Sequence, residues 1–367
     1  MNILYLTNHL NAGGVTSYIL TLVAGLKERG HNIYVASSGG LFTEKFKVAG
    51  AIYLPIPIKT KKEISPKILT SFFKLRSENN RYSFDIIHAH TRTTQVLAAL
   101  LSRSLGIPYI VTCHGFFKRR ILRRIFPCWG VKVIAISEQV REHLVKDFQV
   151  SENKIAVIHN GIDIGKFTQG IKGQGRMARL ALGLGEGPVI GIVARLSDVK
   201  GHIYLIQAMK EVLHKLPQAQ LLIVGEGKTK NELLKSVNDL GIRENVFFRP
   251  GVFDTKEVLS AMDVFVLPSL KEGLGLSLME AMASGLAVIG SDVGGIKTLI
   301  RDGHTGLLVK PADSRDLSAK LLELLENDEK RNSLGETAQI FIAENFSADK
   351  MAAETLKLYL QCLDQEN

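Results

Sequence analysis

Between residues 267 and 285 the chain reads LPSLKEGLGLSLMEAMASG, with the carboxylates Glu272 and Glu280 on either side of Gly273 and Gly275. Carboxylates accept hydrogen bonds from hydroxyls, and glycines at a helix start let backbone amides face a ligand. Upstream, VARLSDVKG sets Arg195 and Lys200 five residues apart in one loop, a fixed guanidinium and a mobile ammonium suited to a diphosphate. NHLNAGGVT places Gly13 and Gly14 where a phosphate can approach a second helix start. Cations for a diphosphate, with a carboxylate for the hydroxyls on either side, match a nucleotide sugar. Each feature also has a local explanation. Ser277 and Glu280 form an S-x-x-E capping box, Arg195 and Lys200 read as solvated charges, and Gly13 with Gly14 reads as a tight turn.

The elements that must position these residues alternate strand and helix. NILYLT, a Gly-containing turn, SYILTLVAGLKERG and NIYVASS make a βαβ unit at the start. AIYLPIP, FDIIHAH, YIVTCHG, KVIAIS and KIAVIHNG continue it, so a mainly parallel sheet covered by helices is predicted over residues 1–165. TQGIKGQGRMARLALGLGEG reads as a glycine-rich linker. The rhythm then restarts with PVIGIVAR, a helix over about 201–216, AQLLIVGEG, NVFFRPG, DVFVLPS, LAVIGSD and TGLLVKP, predicting a second α/β domain over 166–346. SRDLSAKLLELLEN and SADKMAAETLKLYLQCL are amphipathic helices. In doubly wound sheets ligands bind beyond the carboxyl ends of the strands, so the chemistry is expected in the loops that follow strands, facing a cleft between two such domains. The first turn is not G-x-G-x-x-G, the second strand lacks a terminal acidic residue, and no G-x-x-x-x-G-K-[ST] occurs. Dinucleotide-dependent oxidoreductases and P-loop phosphotransferases are therefore disfavoured.

The 367 residues exceed the size of one ordinary domain. Cys113, Cys128 and Cys362 are widely spaced, without a CxxC pair, and read as buried small residues rather than disulfide or zinc ligands. No run reaches the roughly 20 apolar residues of a membrane span, and the first apolar run is too short for a secretory signal, so a cytoplasmic protein is expected. The charge is uneven: residues 1–165 hold 22 Lys+Arg against 10 Asp+Glu, and the remainder 24 against 26. That excess points to an anionic partner of the first half. FFKRRILRRIFP, residues 116–127, sorts at helical spacing into an apolar side with Phe117 and Ile121 and a basic side with Arg119, Arg120, Arg123 and Arg124. A helix in an anionic membrane surface has this pattern, and so does one whose apolar side packs on its own domain. A nucleic-acid binder would share the basic half, but no recognition motif of that class occurs.

Taken in order, NHLNAGGV, TCHG, NGID, ARLSDVKG, VGEG, FRPGV, AMDVFVLPS and EGLGLSLMEAMASG resemble glycosyltransferase family 4 (group 1) over nearly the whole chain. The resemblance implies a GT-B fold of two Rossmann-like domains, with a last helix, 347–367, returning to the first. It also implies a retaining glycosyltransferase without a required metal or cofactor, the acceptor bound mainly by residues 1–165 and the donor, with a UDP-sugar favoured, by 166–346. Under it, Arg195 and Lys200 hold the donor diphosphate, Glu280 the ribose and Glu272 the transferred sugar. Gly273, Leu274, Gly275 and Leu276 offer backbone amides to sugar and phosphates. Gly14, beside Gly13, approaches the β-phosphate, Val252 contacts the base, and His114 of TCHG lies near the reacting sugar. Leu274 stands where the family usually has Phe. The acceptor expected is a glycan or lipid-linked glycan of lipopolysaccharide or cell-surface polysaccharide synthesis, met at the inner face of the cell membrane. A sugar-nucleotide epimerase or a phosphorylase on the same fold is the alternative.

Overall fold

The structure is a computed structural model that describes residues 1–60, 62–63, 65–118, 123, 125–168, 175–252 and 254–364. The chain divides into two compact units, Met1–Gly161 with Ala348–Asn367, and Ile162–Ser347.

In the first unit, β1 (Asn2–Leu6), α1 (Gly14–Glu28), β2 (Asn32–Ser37), α2 (Thr43–Val48) and β3 (Ile52–Pro55) lead into α3 (Pro66–Tyr82). β4 (Ile86–Ala89), α4 (Arg92–Leu105), β5 (Tyr109–Cys113), β6 (Lys132–Ala135), α5 (Glu138–Phe148) and β7 (Ile155–Val157) follow. The strands pair in parallel in the order β3-β2-β1-β4-β5-β6-β7. Central strands such as β1 and β4 are buried on both faces, which is why they read as unbroken apolar runs. Helix starts are set locally: Ser65 caps α3 with Pro66 in its first turn, and Ser137 caps α5 by accepting from the Val140 amide.

The second unit begins with α6 (Ile164–Thr168) and α7 (Gly175–Ala181). The glycine-rich segment expected to be a plain linker thus contains a helix. Arg179 of α7 bonds the Ala261 carbonyl at 3.0 Å and the Asp263 carboxylate at 2.7 Å, tying the helix to the sheet. Residues 169–174 of the same segment lie outside the described residues. β8 (Val189–Val193), α8 (His202–Lys215), β9 (Gln220–Val224), α9 (Lys230–Asp239), β10 (Val246–Arg249), α10 (Lys256–Ser260) and β11 (Val264–Leu267) follow. α11 (Leu276–Ala283), β12 (Ala287–Ser291), α12 (Ile296–Leu299), β13 (Leu307–Val309), α13 (Ser314–Leu325) and α14 (Asp328–Asn345) complete the unit. The parallel order is β10-β9-β8-β11-β12-β13. Each sheet reverses its winding once, between β1 and β4 and between β8 and β11, and such switch points are where doubly wound folds hold ligands.

The last helix, α15 (Ala348–Asp364), belongs to the first unit. Met351, Ala352, Thr355, Leu358, Tyr359 and Cys362 form its buried stripe. Gly25 of α1 lets the two helices close up: a Cβ there would lie 2.8 Å from that of Ala352. Arg29 pairs with Asp349 at the rim. Cys113 and Cys362 are buried as read from the sequence, whereas Cys128 is half-buried in a turn at φ 51°.

Candidate functional site

In the second unit the switch point is spanned by an ion pair. Lys200, at the end of the loop after β8, reaches Glu272 in the loop after β11, and Ser269 Oγ donates to the same carboxylate oxygen at 3.2 Å. Both charged side chains are largely covered, so the pair is far less screened than a surface bridge. Gly201 makes the approach of these loops possible, since a Cβ there would meet the Pro268 carbonyl oxygen at 1.8 Å. Neighbouring loops are locked in the same way. The Leu196 amide bonds the Glu226 carbonyl at 2.9 Å, and the Gly295 amide bonds that of Glu272 at 3.0 Å. Arg195 lies in this framework with an exposed side chain and no hydrogen bond or ion pair among the described residues. Sequence spacing therefore placed Arg195 and Lys200 in one loop correctly, but Lys200 and Glu272, assigned to different parts of a ligand, are partners here.

Glu280 occupies a different environment. α11 starts at Leu276 with Gly275 as N-cap at φ 103° and no side-chain cap. Ser277 lies inside the first turn, so the S-x-x-E capping box does not form. Glu280 Oε2 instead accepts from Thr255 Oγ1 at 2.9 Å, which joins it to the loop after β10 that also carries Val252. Burial pushes the Glu280 carboxyl up to about 7, partly offset by that hydrogen bond and by Lys166, itself paired with Asp254 at 3.1 Å. The two glutamates thus stand at separate points on one rim, each with its own partners. Gly273 and Gly275 are buried, as is the Leu274 side chain, while Leu276 is half-buried and Val252 is 39% exposed.

The first unit's switch point is bridged by neutral groups. Asn8, two residues beyond β1, accepts at Oδ1 from Thr91 at 3.0 Å and from Thr93 at 2.5 Å, at the start of α4. Beside it lies a buried chain: Tyr5 and Tyr359 hydroxyls at 2.7 Å, Tyr359 to His88 Nδ1 at 2.6 Å, and His88 Nε2 to Thr112 Oγ1 at 2.7 Å. His114 follows β5, and its Nε2 lies 3.1 Å from Nδ1 of His90. Tyr18 of α1 meets the His114 ring edge-on at 4.8 Å. Burial holds His114 at about 3 and keeps His88 and His90 well below the usual histidine range, so all three are neutral near pH 7. Gly13 and Gly14, at the exposed start of α1, belong to the same helix as Tyr18. His88 and His90 escaped the sequence reading, although two histidines at alternate positions of an otherwise apolar strand, FDIIHAH, mark a buried polar face.

The basic stretch after His114 departs from the expected sorting. Residues 116–118 are not helical, and Arg119, Arg120, Ile121 and Arg124 lie outside the described residues. Arg123, placed on the exposed basic side, is 6% exposed and sits over Phe117, with its guanidinium 4.0 Å from that ring, 5.6 Å from Phe148 and 5.8 Å from Trp129. Desolvated cation–π contacts of this kind stabilise by about 2 kcal/mol. Ile125 and Phe126 are the exposed residues instead, at 61% and 60%. Phe117, expected on a lipid-facing side, packs on Arg123, and its amide donates to His143 Nε2 at 2.9 Å. Arg92 closes the segment with Nε to Glu63 at 2.9 Å and its terminal nitrogens to the carbonyls of Phe126 and Pro127 at 2.6 and 2.8 Å. Helical spacing could separate two faces but could not show that aromatic residues outside the segment, Trp129 and Phe148, would draw one arginine inward.

Two α/β units with parallel sheets are the architecture of GT-B glycosyltransferases, and solved structures share it. Anabaena HepE in complex with UDP and glucose superposes with a TM-score of 0.87 at 22% identity, over 98% of this chain and 99% of that one. The glycosyltransferase of Rickettsia africae ESF-5 does so with 0.85 at 21%, over 99% and 98%. The family described as Glycosyltransferase Family 4 matches residues 12–166, and that described as Glycosyl transferases group 1 matches residues 181–341. Among curated proteins, the Escherichia coli UDP-Gal:alpha-D-GlcNAc-diphosphoundecaprenol alpha-1,3-galactosyltransferase is 29% identical over 310 residues, 80% of this chain and 79% of its own. The Bacillus anthracis N-acetyl-alpha-D-glucosaminyl L-malate synthase is 28% identical over 358 residues, 93% and 92%. The chain belongs to the group 1 glycosyltransferases of family 4, and it is a glycosyltransferase.

Proposed function

We propose that the protein transfers a sugar, with retention of anomeric configuration, from a UDP-sugar held by the second unit to an acceptor hydroxyl bound by the first. The reading is carried by the cluster at the β8/β11 switch point: an exposed Arg195, without a partner among the described residues, in the same loop as Lys200, with the Lys200–Glu272 pair and the Gly273–Gly275 loop. Lys200 and Glu272 exchange their mutual contact for the donor, the ammonium taking the diphosphate and the carboxylate a sugar hydroxyl. Glu280 accepts from the ribose, the amides at Gly273, Leu274, Gly275 and Leu276 meet sugar and phosphate, and Val252 lines the base. On the first unit, Gly13 and Gly14 meet the β-phosphate and His114 the sugar.

No carboxylate is assigned beneath the anomeric carbon, so the reaction is read as a front-face displacement rather than a double displacement. The bond from the anomeric carbon to the leaving phosphate oxygen breaks as the acceptor oxygen attacks from the same side. The acceptor proton passes to the departing diphosphate. Arg195 and Lys200 stabilise the charge that grows there, a role assigned to these side chains with no resident metal.

The acceptor is read as an anionic, lipid-linked glycan of cell-surface polysaccharide or lipopolysaccharide synthesis, met by a peripheral protein at the inner membrane face. Supporting this are the exposed Lys59, Lys62, Lys67 and Lys118 and the absence of any Asp or Glu between residues 86 and 137. The Escherichia coli relative, a galactosyltransferase with a UDP-Gal donor and a diphosphoundecaprenol-linked acceptor, also supports this reading. Among the described residues no helix is long and apolar enough to cross a membrane. A thermal-shift panel of UDP-, GDP- and ADP-sugars tests the donor, because bound ligand raises the melting temperature by mass action. A UDP-sugar is expected to give the largest shift. Isomerisation of the sugar nucleotide without any acceptor would instead mark an epimerase.

A further inference from the structure

We propose that His90 is a positioning residue for His114, binding one nitrogen of that ring so that the other is presented to the sugar. The inference rests on the reading that His114 meets the substrate. The two imidazoles face each other through His90 Nδ1 and His114 Nε2 at 3.1 Å, so one nitrogen donates and the other accepts. That bond couples the tautomers of the two rings, because a neutral imidazole has one donor and one acceptor: when His90 Nδ1 donates, His114 carries its proton on Nδ1, and when His114 Nε2 donates, its Nδ1 is the acceptor. Nδ1 of His114 has no hydrogen-bond partner among the described residues, and the residue keeps part of its surface exposed.

His90 is itself firmly held. It is 4% exposed and stacked on Tyr5 with ring centroids 5.5 Å apart. Its amide donates to the Leu6 carbonyl across the β1/β4 switch point at 3.1 Å. Tyr18 closes the other side, 5.7 Å from His90 and 4.8 Å from His114. His90 Nε2 is buried without a hydrogen-bond partner among the described residues. A polar atom left in that state lowers stability, which makes histidine a poor choice for packing alone and assigns its value to the nitrogen that faces His114.

His90→Phe keeps the ring and the Tyr5 stack, removes the unpartnered Nε2 and deletes the bond to His114. His90→Asn is smaller but returns a polar atom close to the position of Nδ1. The inference expects stability and activity to rank oppositely. The urea midpoint should fall more for His90→Asn than for His90→Phe. Turnover should fall about tenfold for His90→Phe, the equivalent of one hydrogen bond in the transition state, with donor KM unchanged, and His90→Asn should recover most of it. His90→Phe added to His114→Phe should cost no further turnover. Activity that follows stability, or independent losses in the double variant, would overturn the proposal while leaving the His114 reading intact. Wild-type turnover in His114→Phe would instead remove the reading beneath it. In the unsubstituted protein, imidazole nitrogen NMR should show His114 as one tautomer with a hydrogen-bonded Nε2; a tautomer average would also overturn the assignment.

Discussion

The two switch points solve one problem, holding polar side chains at the open end of a parallel sheet, with opposite chemistry. In the second unit a lysine and a glutamate neutralise each other between loops whose backbones are locked by glycine contacts. In the first unit a relay of neutral hydroxyls and imidazoles runs into the core, with burial keeping its histidines uncharged. A charged pair can exchange partners with a ligand that brings its own charge, whereas a buried neutral relay has no such substitute and works by staying in place. The second unit's switch point is therefore built for exchange and the first unit's for fixed geometry.

The largest effect expected of this contrast is at Lys200. Lys200→Ala should lower turnover roughly 10²-fold or more, by analogy with loss of an oxyanion donor, and should also destabilise by leaving Glu272 unpaired. Lys200→Ala combined with Glu272→Ala should recover much of that stability but none of the turnover, as read by urea melts beside initial rates. Equal recovery of both would break the exchange model.

The pH dependence of stability should run in opposite directions in the two units. Glu280 rises from 4.5 to about 7 on folding, so between those values the native state holds the extra proton. Stability from that group therefore falls as pH rises across the window, by about 3 kcal/mol in all. His114 falls from 6.5 to about 3, so the unfolded state holds the extra proton and stability falls as pH drops through that range. Hydrogen exchange resolved by unit at pH 5 and pH 7.5 should show the first unit gaining protection, and Glu280→Gln should flatten the opposing loss in the second.

Tyr359→Phe should cost about 1–3 kcal/mol, because Tyr5 and His88 both lose a buried partner. Calorimetry would check this, and a change near zero would mean the relay contributes packing alone. The smallest effect is assigned to Thr255→Val. Losing that single bond to Glu280 should cost about 1 kcal/mol and move the Glu280 titration further upward, visible by carboxyl carbon NMR.

Most of the framework was legible because strands buried on both faces stand out as apolar runs; all thirteen strands among the described residues lie within the runs read from the sequence. α7 was hidden by the glycines around it, and α14 by a narrow stripe of Leu334, Ala338 and Ile342 among polar residues. At the site, motif spacing located Arg195, Lys200, Glu272 and Glu280 in loops after strands and at a helix start. It could not reveal that two of them pair, that Ser269 steadies Glu272, or that Thr255 rather than Ser277 meets Glu280. Those contacts join residues from different strand ends, and a local pattern carries no information about them. Arg123 failed for the same reason, since its aromatic partners Trp129 and Phe148 lie beyond the segment whose periodicity was read.

The placement of α15 has a consequence for how the chain matures. The helix that completes the first unit leaves the ribosome after the whole of the second, so Met1–Gly161 waits through the synthesis of Ile162–Ser347 without Tyr359. Until it arrives, Tyr5 and His88 have only water in place of that phenol, and the second half is free to finish first. The first unit is thereby completed only after residues 162–347 have been made, with α15 acting as the latch on β1 through the Tyr5–Tyr359 contact.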